Sequence, residues 1–226
     1  MRNAIRLAAV SAALMLGALA PLAGCSSTSS STSALASAET GKYLYSGEVY
    51  LLRGLANVFS TGLDEINGKF LRRGINSKVD NHSLWQAYAD DIVQRAQAGQ
   101  ISYPIIIMGH SLGGDACVQM ARYLGDKGIK VSYVAAFDPT VTTEPGANVL
   151  EVDNFYLPNN PDGAATNIVR EGPGFTGKLV NIDVRPMSGV DHFNIEKQPQ
   201  LQDRVMTKAI RYMTRRAVAP EPGAGR

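Results

Sequence analysis

The chain has 226 residues, 45% of them hydrophobic and 19% charged. That length can bury one substantial core, and that balance excludes a disordered or fibrous protein. With 22 Lys and Arg against 20 Asp and Glu, the formal net charge is only +2, too small a surplus to grip phosphates, which argues against nucleic acid as a partner.

Residues 1–24 stand apart. Arg2 and Arg6 give a positive start, Leu7 to Ala20 an apolar run, and small residues follow, the layout of an export signal. The end of this segment, Leu22-Ala23-Gly24-Cys25, resembles the bacterial lipobox. The resemblance implies cleavage before Cys25 and acylation of that cysteine; a plain secretory signal with an incidental cysteine is the alternative. At about 0.8 kcal/mol per buried CH₂, several acyl chains anchor a protein firmly. Ser26 stands where an aspartate resembles an inner-membrane retention signal, which in a Gram-negative cell leans toward the periplasmic face of the outer membrane. Losing Arg2 and Arg6 leaves 20 basic against 20 acidic residues, a formally neutral mature chain. Residues 25–40, rich in Ser, Thr and Ala, read as a tether. A single domain is expected over 41–216, followed by a frayed tail, 217–226. Once Cys25 is assigned to lipid, Cys117 has no disulfide partner and reads as a small buried apolar residue.

Within the domain, apolar runs and helical patterns alternate. Val49 to Leu52 predicts a strand ending at Arg53-Gly54. Ser60 or Thr61 predicts a helix cap ahead of Leu63, Ile66, Phe70 and Leu71, and Gly74 a stop. Ile75 to Val79 predicts a short strand. Ser83 predicts the cap of a helix bearing Leu84, Tyr88, Ile92 and Val93, ended by Gly99. Strands follow at Ile105 to Met108, Val131 to Phe137, Val149 to Leu157 and Leu179 to Val184, with a helix over Asp115 to Leu124 and a last one from about Leu201 to Arg216. Strands separated by helices imply a mostly parallel sheet covered on both faces. Arg204, Lys208, Arg211 and Arg215 share one face of the last helix, which predicts a solvated basic stripe, with contact to anionic lipid headgroups as the alternative.

The chemistry concentrates where the strand at Ile105 runs into Gly109-His110-Ser111-Leu112-Gly113 and then a helix. Strand, Gly-x-Ser-x-Gly and helix in that order are what a nucleophile elbow requires, with a serine hydroxyl at the tip of the sheet and free helix N–H groups beside it. A serine needs an adjacent base, and the chain has three histidines. His110 lies inside the elbow and is expected to be structural, with a contact on the substrate side as an option. His82 is expected to shape a nearby loop. His192 follows the last expected strand.

On these features the chain resembles an α/β-hydrolase of the small lipase and thioesterase type over about residues 45 to 215. The fold class implied is α/β, a mostly parallel sheet of about six strands with helices on both faces and no large lid. The resemblance implies a catalytic Ser111, His192 as base and a carboxylate that orients it. Asp138, in Phe137-Asp138-Pro139, is favoured for that carboxylate; Asp162 and Asp153 are the alternatives one strand later, and Asp191 is discounted because its side chain should point away. The oxyanion hole would use the backbone N–H groups of Leu112 and Leu55, with Asn57 or Ser60 as possible helpers, although helix capping is the expected job of Ser60. Family members often have His-Gly where this chain has Arg53-Gly54. No metal-ligand cluster and no nucleotide-binding loop is legible, so no cofactor is expected. The activity implied is hydrolysis of a small-molecule ester or thioester through an acyl-enzyme, on a protein lipid-anchored in the cell envelope. The competing reading is a catalytically silent envelope lipoprotein that uses the fold for binding or scaffolding, and transfer of the acyl group to another acceptor is a third.

Overall fold

A computed structural model describes residues 42–55, 60–159 and 165–216. The proposed export signal, Cys25, the tether and the tail lie outside the described residues, as do Asn57 and Asp162. In chain order the elements are β1 (Glu48–Arg53), α1 (Thr61–Arg72), β2 (Asn76–Asn81), α2 (Trp85–Gln97), β3 (Ile105–His110), α3 (Leu112–Asp126), β4 (Tyr133–Phe137), β5 (Glu151–Tyr156), β6 (Lys178–Asp183) and α4 (Pro199–Tyr212). The strands form one six-stranded sheet in the order β2-β1-β3-β4-β5-β6, and every neighbouring pair is parallel. This is the α/β-hydrolase fold in its six-strand form.

The strand sequences explain the layering. Alternate side chains of a strand leave opposite faces. Tyr50, Leu52, Ile105, Ile107, Val134 and Ala136 therefore pack with Ile92 of α2 and with Ala116, Met120 and Leu124 of α3. Their neighbours Val49, Leu51, Ile106, Met108, Ala135 and Phe137 pack on the other face with Leu63, Ile66 and Phe70 of α1 and Leu201, Val205 and Ala209 of α4. Both faces of the central strands are thus apolar, so Ile105-Ile106-Ile107-Met108 reads as a continuous run with no alternation. Each fully buried Leu, Ile or Phe contributes roughly 1.5–3 kcal/mol.

Local chemistry differs from expectation at three helix features. Ser60 sits at the start of α1 but makes no side-chain cap, because its hydroxyl is engaged elsewhere. Ser83 does not cap α2. Instead Asn81 accepts from the Ser83 N–H at 2.9 Å and caps a short 3₁₀ turn, His82–Leu84, that leads into the helix. The basic face of α4 is not a free stripe. Arg204 reaches Asp153 at 3.1 Å, Lys208 reaches Glu151 at 2.8 Å and Asp153 at 2.7 Å, and Arg211 reaches Glu151 at 2.5 Å. Two buried carboxylates on β5 draw those cations inward, a demand that helical spacing alone does not reveal. Among the described residues no helix is long and apolar enough to cross a membrane.

Candidate active site

The site forms at the carboxyl ends of β1, β3, β4 and β6, where the sharp exit from β3 exposes Ser111. Its backbone lies at φ 58°, ψ −126°, a region that non-glycine residues rarely occupy and that costs about 1–3 kcal/mol. The bend needs its two glycines for lack of space. A Cβ on Gly109 would lie 1.8 Å from the Gly113 carbonyl oxygen, and one on Gly113 would lie 1.9 Å from that of Leu52. The Ser111 N–H donates to the Phe137 carbonyl at 3.0 Å, tying the bend to β4. α3 begins at Leu112, the first residue after the serine, so its leading N–H groups have no partner earlier in the helix.

The structure brings Ser111, His192 and Asp138 together from sequence separations of 81 and 54 residues. His192 Nε2 lies 3.0 Å from Ser111 Oγ, and His192 Nδ1 lies 2.7 Å from Asp138 Oδ2. The Asp138 hydrogen bond is the main reason the His192 imidazole is held above its ordinary pKa. The other oxygen of Asp138, Oδ1, accepts from the Leu157 N–H at 2.9 Å and from Asn167 Nδ2 at 2.8 Å. Asn167 is buried and also donates to the Leu157 carbonyl, so it locks the carboxylate in place. Nothing in its sequence context marked it, because its role comes from a loop folding back over β5.

The candidate acids separate by position. Asp153, in the middle of β5, accepts from Tyr133 and from the α4 cations, away from His192. Asp191 uses its side chain locally to accept from the Phe193 N–H. Asp115, the fourth residue after the serine, was not singled out by the sequence. It is buried and accepts from the Thr140 and Val141 N–H groups and the Thr140 hydroxyl, fixing the turn after Asp138. Burial raises its pKa.

The loop after β1 is pinned on both sides of Gly54. The Gly54 N–H donates to Ser60 Oγ at 2.9 Å, and the Gly54 carbonyl accepts from Asn81 Nδ2 and His82 Nδ1, each at 3.3 Å. A trans peptide points its C=O and the following N–H in opposite directions. With the carbonyl turned toward the β2 end, the Leu55 N–H points the other way. A Cβ on Gly54 would lie 3.0 Å from Ser111 Cβ, so a larger residue there would crowd the serine. Arg53 is held in an ion pair with Asp64.

His110 points inward and is buried. Its Nδ1 lies 2.8 Å from Ser60 Oγ and its Nε2 lies 2.7 Å from the His192 carbonyl. Burial pushes its pKa down to about 4. Next to it sits Glu196, whose carboxyl is fully buried and whose Oε2 has no hydrogen-bond partner. Burial pushes that carboxyl up to about 7. Cys117 is buried on α3 with its thiol directed to the Gly114 carbonyl, and burial raises its pKa far above the ordinary thiol value. Among the described residues no group of three His, Cys, Asp or Glu side chains could hold a metal ion.

Solved structures of similar shape are hydrolases and thioesterases at low identity. The RedJ thioesterase of prodiginine biosynthesis in Streptomyces coelicolor matches at 10% identity over 71% of this chain and 90% of its own, with a TM-score of 0.48. A protein of Xanthomonas campestris pv. campestris, provisionally described as a hydrolase of the alpha/beta superfamily, matches at 13% over 74% of this chain and 98% of its own, with a TM-score of 0.44. The NocB thioesterase domain from the nocardicin cluster matches at 12% over 74% and 93%, with a TM-score of 0.41. No family model and no curated protein matches the sequence.

Proposed function

We propose that the protein is a serine hydrolase that cleaves carboxylic esters or thioesters through an acyl-enzyme on Ser111. The observation that carries this reading is the unbroken line of 3.0 and 2.7 Å contacts from Ser111 through His192 to Asp138, set on a strained serine. Neutral His192 takes the Ser111 proton at Nε2 while Oγ attacks the carbonyl carbon. Asp138 holds the imidazole with its other nitrogen protonated and stabilises the imidazolium that forms. The N–H groups of Leu112 and Leu55 receive the oxyanion, and losing one such donor typically costs about 2.7–4 kcal/mol in the barrier. The imidazolium then protonates the departing alcohol or thiol. Water, deprotonated by the same nitrogen, releases the acid and restores the serine.

Export and acylation at Cys25 would place this domain in the cell envelope on a flexible tether, on the periplasmic face of the outer membrane in a Gram-negative cell. Metabolic labelling with a fatty-acid analogue tests that part, with label expected on the native chain and lost in Cys25→Ala.

The activity is tested by a fluorophosphonate probe and a p-nitrophenyl ester chain-length series on the mature domain. A stoichiometric adduct on Ser111 and hydrolysis abolished in Ser111→Ala are expected. A folded protein with no adduct would favour the silent scaffold.

A further inference from the structure

We propose that His110 is a positioning residue that couples the loop carrying the base to the loop facing the oxyanion, acting as a neutral imidazole protonated on Nε2. Its kinetic consequences rest on the hydrolase reading above; its structural consequences do not. A carbonyl oxygen can only accept, so the 2.7 Å contact with the His192 carbonyl places a proton on His110 Nε2. In a neutral ring Nδ1 is then an acceptor, and Ser60 Oγ at 2.8 Å must be its donor. Ser60 Oγ is left to accept from Gly54, which it does at 2.9 Å. The bonds run in one sense, from the Gly54 N–H to the Ser60 hydroxyl to His110 Nδ1, and then from Nε2–H to the His192 carbonyl. The ring is 1% exposed, and the burial that drives its pKa down to about 4 keeps it neutral at working pH.

Each end of this chain meets the reaction. At Gly54 the neighbouring peptide groups are held by Ser60 on one side and by Asn81 and His82 on the other, which sets the direction of the Leu55 N–H. At His192 the backbone is held by its carbonyl while the ring, 5.0 Å from the His110 ring, reaches Ser111. The residue before the nucleophile thus joins two loops that lie far apart in the sequence. Glu196 stands behind the joint. Its unpartnered Oε2 lies 3.9 Å from His110 Nε2, too far for a hydrogen bond but within reach of that proton if the His192 carbonyl moves away.

The experiment combines the fluorophosphonate labelling rate with an NMR titration of the imidazoles, which the chain's three histidines keep simple. Asp138, Glu196 and Asp191 bear on His192 electrostatically and stay unchanged, while the variants are Ser60→Ala, His110→Gln and His110→Leu. Ser60→Ala should slow labelling about tenfold and move the His192 titration down toward the ordinary imidazole value, although Ser60 spends its hydroxyl on Gly54 and His110. His110→Leu should lose about 10- to 100-fold, and His110→Gln, which keeps one donor and one acceptor, should recover most of that loss. If Ser60→Ala leaves both readouts within about twofold of wild type, or if His110→Gln is as impaired as His110→Leu, the coupling is overturned. Should His110→Leu fail to fold, Ser60→Ala and His110→Gln still decide. A wild type that never labels removes the hydrolase reading, and the displaced His192 titration in Ser60→Ala then stands or falls by itself.

Discussion

Two glutamates, Glu151 on β5 and Glu196 behind the site, are almost equally hidden from water, at 2% and 0% exposure, yet their pKa values move in opposite directions. Burial pushes both carboxyls up. At Glu151, hydrogen bonds from Lys208 and Tyr212 and the charge of Arg211 more than reverse that, and the group lies below its usual range. At Glu196 the Gly62 N–H at 3.3 Å and the half-exposed Lys197, 4.0 Å away, do not, and the carboxyl rises to about 7. Depth therefore does not fix the charge of a buried acid; the partners do. Strand β5 uses its acids as fully matched ion pairs that tie it to α4. Behind the site, Glu196 is poorly matched, with Oε2 3.9 Å from His110 Nε2.

The largest effect should follow from breaking the matched acid of the site itself. Asp138→Asn keeps the shape but presents the wrong tautomer to His192, and a loss of about 10⁴-fold in kcat is expected, measured on the best p-nitrophenyl ester with the fold checked by circular dichroism. Next come the matched acids of β5. Lys208→Met removes a cation shared by two buried carboxylates, which typically costs about 3–5 kcal/mol. Urea unfolding should show that loss, while Ser111 labelling at low denaturant stays near the wild-type rate.

Glu196→Gln sharpens the contrast through pH. A folded pKa of about 7 against an ordinary value of 4.5 means that the wild type loses stability as pH rises through that interval. The amide has no charge to bury and can still accept from Gly62. The variant should melt higher than wild type at pH 8, with the gap closing at pH 5. His110 works in the opposite sense: its folded value of about 4 lies below the ordinary 6.5, so its contribution is lost as pH falls through that interval. The smallest effect concerns His192. Its pKa is raised, chiefly by the Asp138 hydrogen bond, and the proposed base is the neutral form. The acylation rate should rise with pH through a midpoint above 6.5, and Asp138→Asn should lower that midpoint. A midpoint that did not respond would separate His192 from the reaction.

Much was legible before folding. The order of strands and helices followed from apolar runs and helical periodicity, and the elbow from two glycines around a serine at a strand end. His192 was within reach of sequence reasoning because only three histidines compete and its place after the last strand is distinctive. Asp138 was favoured on similar grounds of place in the chain. The failures have a common cause. Ser60 carries a signature of helix capping and instead serves Gly54 and His110. The α4 cations carry a signature of a solvated face and instead meet Glu151 and Asp153. In each case the partner lies on another element, and a one-dimensional pattern records only neighbours.

What the sequence determined by itself was the set of local commitments: where strands stop, where the chain must bend, and which residue types could do acid–base chemistry. Only the tertiary structure decided which polar atoms share a buried space, and hence that Asn167 braces Asp138, that His110 is neutral between Ser60 and His192, and that Glu196 keeps an unpaired oxygen. The physical reason is that hydrogen bonds and desolvation act over a few ångströms in space, and residues 54, 110, 138 and 192 become neighbours only when the parallel sheet aligns its strand ends.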